Sequence, residues 1–153
     1  IEIAGLLAKA GADSIGLSDT TGYANPAQIK RMFRRLRSEI GVEKMGGAHL
    51  HNTRGQGLAN VVAALEVDVT TFDSSLGGLG GCPYAPGASG NIVTEDLVFM
   101  LEAMGLRTGV DIDALIAARE VLLRGLPNEV IYGNIPDVVL PKGFTYASGR
   151  SVT

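Results

Sequence analysis

The chain's two histidines stand two residues apart in "AHLH", as His49 and His51, and its single cysteine, Cys82, lies in "GGLGGCPYAPGAS". On an extended strand, side chains two apart project to the same face. The two imidazoles could therefore share a metal or could make structural hydrogen bonds. With oxygen ligands beside them they suit a divalent ion such as Mn2+, Mg2+ or Zn2+. A lone cysteine is most often a small buried hydrophobe. Here "GGLGGCPY" can form neither regular strand nor helix, and its glycines permit hinging and close backbone approach to a ligand. A thiol on such a loop can donate or accept a proton at a carbon centre while the loop excludes water. Asp19, in "GLSDTTG", adds a carboxylate. Asn91, downstream of Cys82, offers an amide oxygen that could bind a metal or help a turn.

A repeated strand, loop and helix must position these groups. Ile3, Leu6, Leu7 and Ala10 recur at helical spacing before Gly11, predicting a helix over residues 1–10. Ile15 and Leu17 predict a buried parallel strand that opens into a loop at Asp19. Asn25 as cap, Pro26 as first residue and Gly41 as stop predict the next helix. Its apolar stripe is Ile29, Met32, Phe33, Leu36 and Ile40. Lys30, Arg31, Arg34, Arg35 and Arg37 lie mostly off the stripe and read as a solvated face, because no aromatic or glycine-rich phosphate motif accompanies them. "KMGGAHLH" then reads as a strand, "GQGLANVVAALE" as a helix, "VTTFDSS" as a strand, and "TEDLVFMLEAMG" as a helix capped by Thr94 and closed by Gly105. Asp111 predicts a further helix to about Leu123, and residues 126–153 read as an irregular tail rich in Pro, Gly and Asn.

This alternation predicts an α/β fold of parallel strands with helical crossovers, in repeats of the length a (β/α)8 barrel uses. A complete barrel takes about 250 residues. Three strands in 153 residues are either the end of a barrel or a smaller open sheet. Ligand sites in such folds lie at the carboxyl ends of the strands, which is where Asp19, His49, His51 and Asp73 with the cysteine loop fall, so these groups are expected to converge on one mouth. Ile15, Leu17, Ala48, Leu50 and Phe72 are expected to form an uncovered inner face.

A hydrophobic content of 46% supports one ordinary core, and a net charge of −3 with scattered cations excludes the electrostatic footprint of a nucleic-acid binder. One cysteine makes no internal disulfide, and "IEIAGLLAKAGAD" lacks the pattern of a secretory signal. No apolar run reaches bilayer length. These features point to a soluble, cytoplasmic protein that does not contact membranes. A chain that opens without Met, inside a helix, reads as a piece of a longer protein.

"GLGGCPYAPGASGN" followed by "TEDLV", with "AHLHNTRGQGLAN" and "GLSDTTG" upstream, resembles the C-terminal half of the hydroxymethylglutaryl-CoA lyases. The resemblance covers residues 1–125, and "LPKGF" is similar to bacterial members. Isopropylmalate and homocitrate synthases share a His-x-His and a later Asn but differ at "GGCPYAPGAS", which favours lyase over synthase. The resemblance implies the last three strands of a TIM barrel and cleavage of 3-hydroxy-3-methylglutaryl-CoA to acetyl-CoA and acetoacetate, in leucine breakdown and ketone-body metabolism. It implies a divalent cation, Mg2+ or Mn2+, held by His49, His51 and Asn91. Cys82, Asp19 and His49 become the catalytic residues, an acyl-CoA the substrate, and the full-length protein a homo-oligomer. Two positions depart from the family: Asn52 replaces an aspartate in "HLHNT", and Asp68 replaces a glycine in a left-handed helix cap. An arginine and acidic residues of the family's first strand lie outside these residues, so the chain alone is expected to be inactive. The alternatives are a related acyl-CoA synthase or aldolase, and a non-catalytic truncated product.

Overall fold

The computed structural model describes residues 1–81, 87, 90–138 and 140–151. Cys82 lies outside the described residues. Two compact units form, Ile1–Asp73 with Gly80–Asn91, and Ser74–Leu79 with Ile92–Thr153.

The first unit alternates as the sequence predicts: α1 (Glu2–Lys9), β1 (Ile15–Asp19), α2 (Pro26–Ile40), β2 (Met45–Leu50), α3 (Gly57–Leu65) and β3 (Phe72–Asp73). The strands lie in the order β1-β2-β3, all parallel. Helix α2 follows its local signals. The Asn25 side chain accepts from the Gln28 N–H at 3.0 Å, Pro26 takes the first helical position, and Gly41 ends the helix at φ 83°. Ile29, Phe33, Leu36 and Ile40 are buried. Arg31, Arg34 and Arg35 face solvent. Lys30 pairs with Glu66 at 2.9 Å and Arg37 with Asp68 at 2.9 Å, which fastens α2 to the end of α3. Asp68 sits at φ 64°, the one described non-glycine residue in the left-handed region.

Two faces differ from expectation. The α1 stripe is exposed: Ile3, Leu6 and Leu7 are 73%, 66% and 47% accessible, and Ala4 and Gly5 are the buried residues. Glu39 of α2 packs where a Gly5 side chain would stand, so close helix approach selects the small residues. Periodicity finds an apolar face but not its cover. The second difference is in the sheet. Ile15, Ala48 and Leu50 are buried rather than uncovered, and Leu17 and Phe72 are half-buried. Leu17 and Leu50 line, with Ala24, Ile29, Met32 and Phe33, a cavity of about 150 Å³ against α2. This face therefore lies under the helices. The two-residue strand period leaves Gly16, Ser18 and His49 on the opposite face.

The second unit holds a 3-10 turn (Leu76–Gly78), α4 (Thr94–Ala103), α5 (Ile112–Gly125) and α6 (Ile135–Val138). Asp111 caps α5, accepting from the Ala114 N–H at 3.0 Å. Thr94 does not cap α4. Val93 holds the cap position, and the Thr94 hydroxyl lies 2.8 Å from that of Ser74. The tail expected to be irregular contains α6 and supplies Ile135, Phe144 and Tyr146 to a core with Val98 and Ile112. Pro and Gly interrupt regular structure there without preventing burial. Glu95 is fully buried. Its carboxylate accepts from Arg119 Nη1 at 2.7 Å and from the Gly77 N–H, so the buried charge is paired. Among the described residues no helix is long and apolar enough to cross a membrane.

Candidate active site

Asp19 closes β1, where the apolar run meets a polar turn. Its carboxylate accepts from the N–H groups of Tyr23 (Oδ1, 3.0 Å) and Ala24 (Oδ2, 3.0 Å). The turn between them passes through Gly22 at φ 63°, against Thr53. A Cβ at Gly22 would lie 2.7 Å from the Thr53 Cβ, so the close approach requires glycine.

His49 lies on β2 opposite Ser18 of β1 and Asp73 of β3. Its Nδ1 is 3.3 Å from Asp73 Oδ2. His51 follows the strand and forms an antiparallel bridge with Asn91. The two imidazole centroids are 5.2 Å apart, with planes inclined at 59°. His51 is 4% accessible, and its Nδ1 has no hydrogen-bond partner among the described residues. Burial, and then the neighbouring His49, push the His51 pKa below its ordinary value against an opposing pull from Asp19. The lowered pKa favours the neutral ring, which keeps a lone pair on one nitrogen.

Asn52 replaces the expected carboxylate without losing its acceptor. Its Oδ1 takes the Gly57 N–H at 2.9 Å at the start of α3, and its own N–H donates to the Gly90 carbonyl at 3.0 Å. Gly80 runs at φ 99°, and a Cβ there would lie 2.7 Å from Asn91 Nδ2.

Asp19, His49, His51 and Asn91 thus gather at and just beyond the carboxyl ends of β1 and β2, within one unit. Cys82 falls outside the described residues. Among the described residues no group of three or more His, Cys, Asp or Glu side chains is placed to hold a metal. Two imidazoles and an amide are donors of a kind that could hold a divalent cation, and the buried Nδ1 of His51 has no partner among the described residues. Sequence reasoning set Asp73 at the same mouth but did not pair it with His49, because their adjacency arises from strand register. It missed Arg54 and Asn60 altogether. Arg54 Nη1 donates to the carbonyls of Thr21 (3.1 Å) and Gly22 (3.3 Å), and Asn60 donates to that of Ala24.

The HMGL-like family model matches residues 1–122. The chain is similar to a hydroxymethylglutaryl-CoA lyase of Bacillus subtilis, 46% identical over 118 residues that cover 77% of this chain and 39% of that protein. It is also similar to an (R)-citramalyl-CoA lyase of Chloroflexus aurantiacus, 48% identical over 112 residues, covering 73% and 35%. Among solved structures, an HMG-CoA lyase from Acinetobacter baumannii in complex with coenzyme A and 3-methylmalate superposes with a TM-score of 0.83 at 47% identity, covering 90% of this chain and 44% of that one. The chain spans about two-fifths of the length of such relatives.

Proposed function

The chain belongs to the HMGL-like family and carries strand–helix repeats of its TIM-barrel fold, and from that premise we propose that the protein bearing it is a carbon–carbon lyase. The substrate is 3-hydroxy-3-methylglutaryl-CoA, and the products are acetyl-CoA and acetoacetate. The observation that carries this reading is the buried His51 with its ring 5.2 Å from that of His49, alongside a carboxylate fixed by two backbone N–H groups at the end of the neighbouring strand.

Family members are generally dependent on a divalent metal. Mg2+ or Mn2+ held by His49, His51 and Asn91 would supply positive charge that lowers the pKa of the substrate's tertiary hydroxyl. Asp19 takes the hydroxyl proton, with His49 beside it as a metal ligand. The Tyr23 and Ala24 N–H groups hold both Asp19 oxygens in place, so the base does not reorganise as it accepts. As the hydroxyl becomes a ketone, the adjacent carbon–carbon bond breaks. Its electron pair passes to the thioester fragment as the acetyl-CoA enolate. Cys82, un-ionised at that moment, gives its proton to the enolate carbon, and the proton taken from the hydroxyl restores the thiol. The "GGLGGCPYAPGAS" segment supports lyase over synthase chemistry. The reading places the protein in the cytoplasm, as a homo-oligomer, in leucine and ketone-body metabolism.

The similarity to a citramalyl-CoA lyase favours a second substrate in the same class. Measuring kcat/KM for both thioesters in one preparation decides between them. The proposal expects the hydroxymethylglutaryl thioester to win by at least about tenfold. A preference for the (R)-citramalyl thioester would reassign the substrate and keep the bond-cleavage chemistry.

A further inference from the structure

Asn60 is a buried amide on the apolar helix α3, 1% accessible among Val61, Ala63 and Ala64. Its Nδ2 donates to the Ala24 carbonyl at 3.0 Å, while its Oδ1 has no hydrogen-bond partner among the described residues. A leucine of similar size would avoid that unsatisfied oxygen. What the asparagine supplies is the donor to Ala24. Ala24 is held at both ends, its carbonyl by Asn60 and its N–H by Asp19 Oδ2 at 3.0 Å. Arg54 grips the same arc from outside. It bonds the Thr21 and Gly22 carbonyls and lies 3.8 Å over the Tyr23 ring, next to the second N–H that holds Asp19.

We propose that Asn60 is a positioning residue for Asp19: it fixes the Tyr23–Ala24 backbone whose N–H groups aim the Asp19 carboxylate. Without the Asn60 donor, the Ala24 carbonyl is buried unpaired and the arc must shift to reach water, taking both N–H groups with it. The inference rests on Asp19 being the proton acceptor proposed above, and its test separates the two.

In the protein bearing this sequence, Asn60→Leu lowers kcat for thioester cleavage by about tenfold or more, the scale of a misplaced general base, with KM changed less than about twofold. In an Asp19→Asn background the same substitution leaves the residual kcat unchanged, because the residue it positions no longer functions. Hydrogen exchange at the Tyr23 and Ala24 amides speeds up in Asn60→Leu, while the Gln28 amide, capped by Asn25, does not respond. Asn60→Ala, which also removes the donor, serves if the leucine variant fails to fold. Equal kcat losses in both backgrounds, or unaltered exchange at Ala24, would overturn the inference. A wild-type protein without lyase activity would sink the functional reading instead, and the exchange measurement would then decide the role of Asn60 alone.

Discussion

His49 Nδ1 lies 3.3 Å from Oδ2 of Asp73, its register partner on β3. A carboxylate at that nitrogen favours the Nδ1–H tautomer and leaves the ring's lone pair on Nε2, the nitrogen a metal would take. Asp73→Asn should therefore raise the divalent-cation concentration needed for half-maximal activity by about tenfold to a hundredfold. Metal titrations of turnover read it directly. An unchanged titration would leave the pair without a role in orienting the ring.

Gly80→Ala tests the path of the chain past Asn91. The alanine must adopt φ 99° with its Cβ 2.7 Å from the Asn91 amide. The backbone conformation alone should cost about 1 to 2 kcal/mol of stability. Displacement of Asn91 should also weaken metal activation, so a variant with wild-type melting and metal response would show that neither constraint holds.

Acid stability should depend on Glu102. Burial pushes its carboxyl up, but the Thr108 hydroxyl and the N–H groups of Thr108, Ala147 and Gly109 outweigh it and hold the folded pKa below the usual 4.5. The Thr108 N–H and hydroxyl both lie 2.6 Å from Oε1, and the Ala147 N–H 2.8 Å from Oε2. A depressed folded pKa gives stability that is present above the unfolded value. That stability fades as pH falls below about 4.5 and through the folded value. Melting temperatures taken from pH 7 down to pH 3 should fall along this limb, and Glu102→Gln should flatten it. An identical acid slope in the two proteins would exclude Glu102 as its source.

Cys82→Ser bears on the final proton transfer. A serine hydroxyl is a much weaker acid than a thiol, so turnover should drop by about a hundredfold or more while substrate affinity changes little. Binding of a non-cleaved acyl-CoA by calorimetry separates the two effects. Near-normal turnover would remove the thiol from the proton path.

Helix α2 was legible because all its signals are local. Asn25, Pro26 and Gly41 mark its ends, and one stripe of apolar residues is enough to bury it. The three strands and the positions of Asp19, His49 and His51 at their carboxyl ends were legible for a similar reason, since period and punctuation are written along the chain. What covers a face is not. Ile3, Leu6 and Leu7 form an apolar stripe that lies in solvent, and Ile15, Ala48 and Leu50 turn to the helices, because neighbours far away in sequence decide both. Asp73 beside His49 depends on strand register, and Asn60 beneath Ala24 on the packing of α3 near the β1–α2 turn. A buried polar residue in the apolar run "LANVVAAL" was the available signal for Asn60.

The central claim is tested most directly by incubating the protein bearing this sequence with 3-hydroxy-3-methylglutaryl-CoA and Mg2+ or Mn2+, and quantifying both products. The account predicts acetyl-CoA and acetoacetate in equal amounts, their formation stopped by a chelator and restored by added cation. Intact substrate after prolonged incubation with either cation would contradict it.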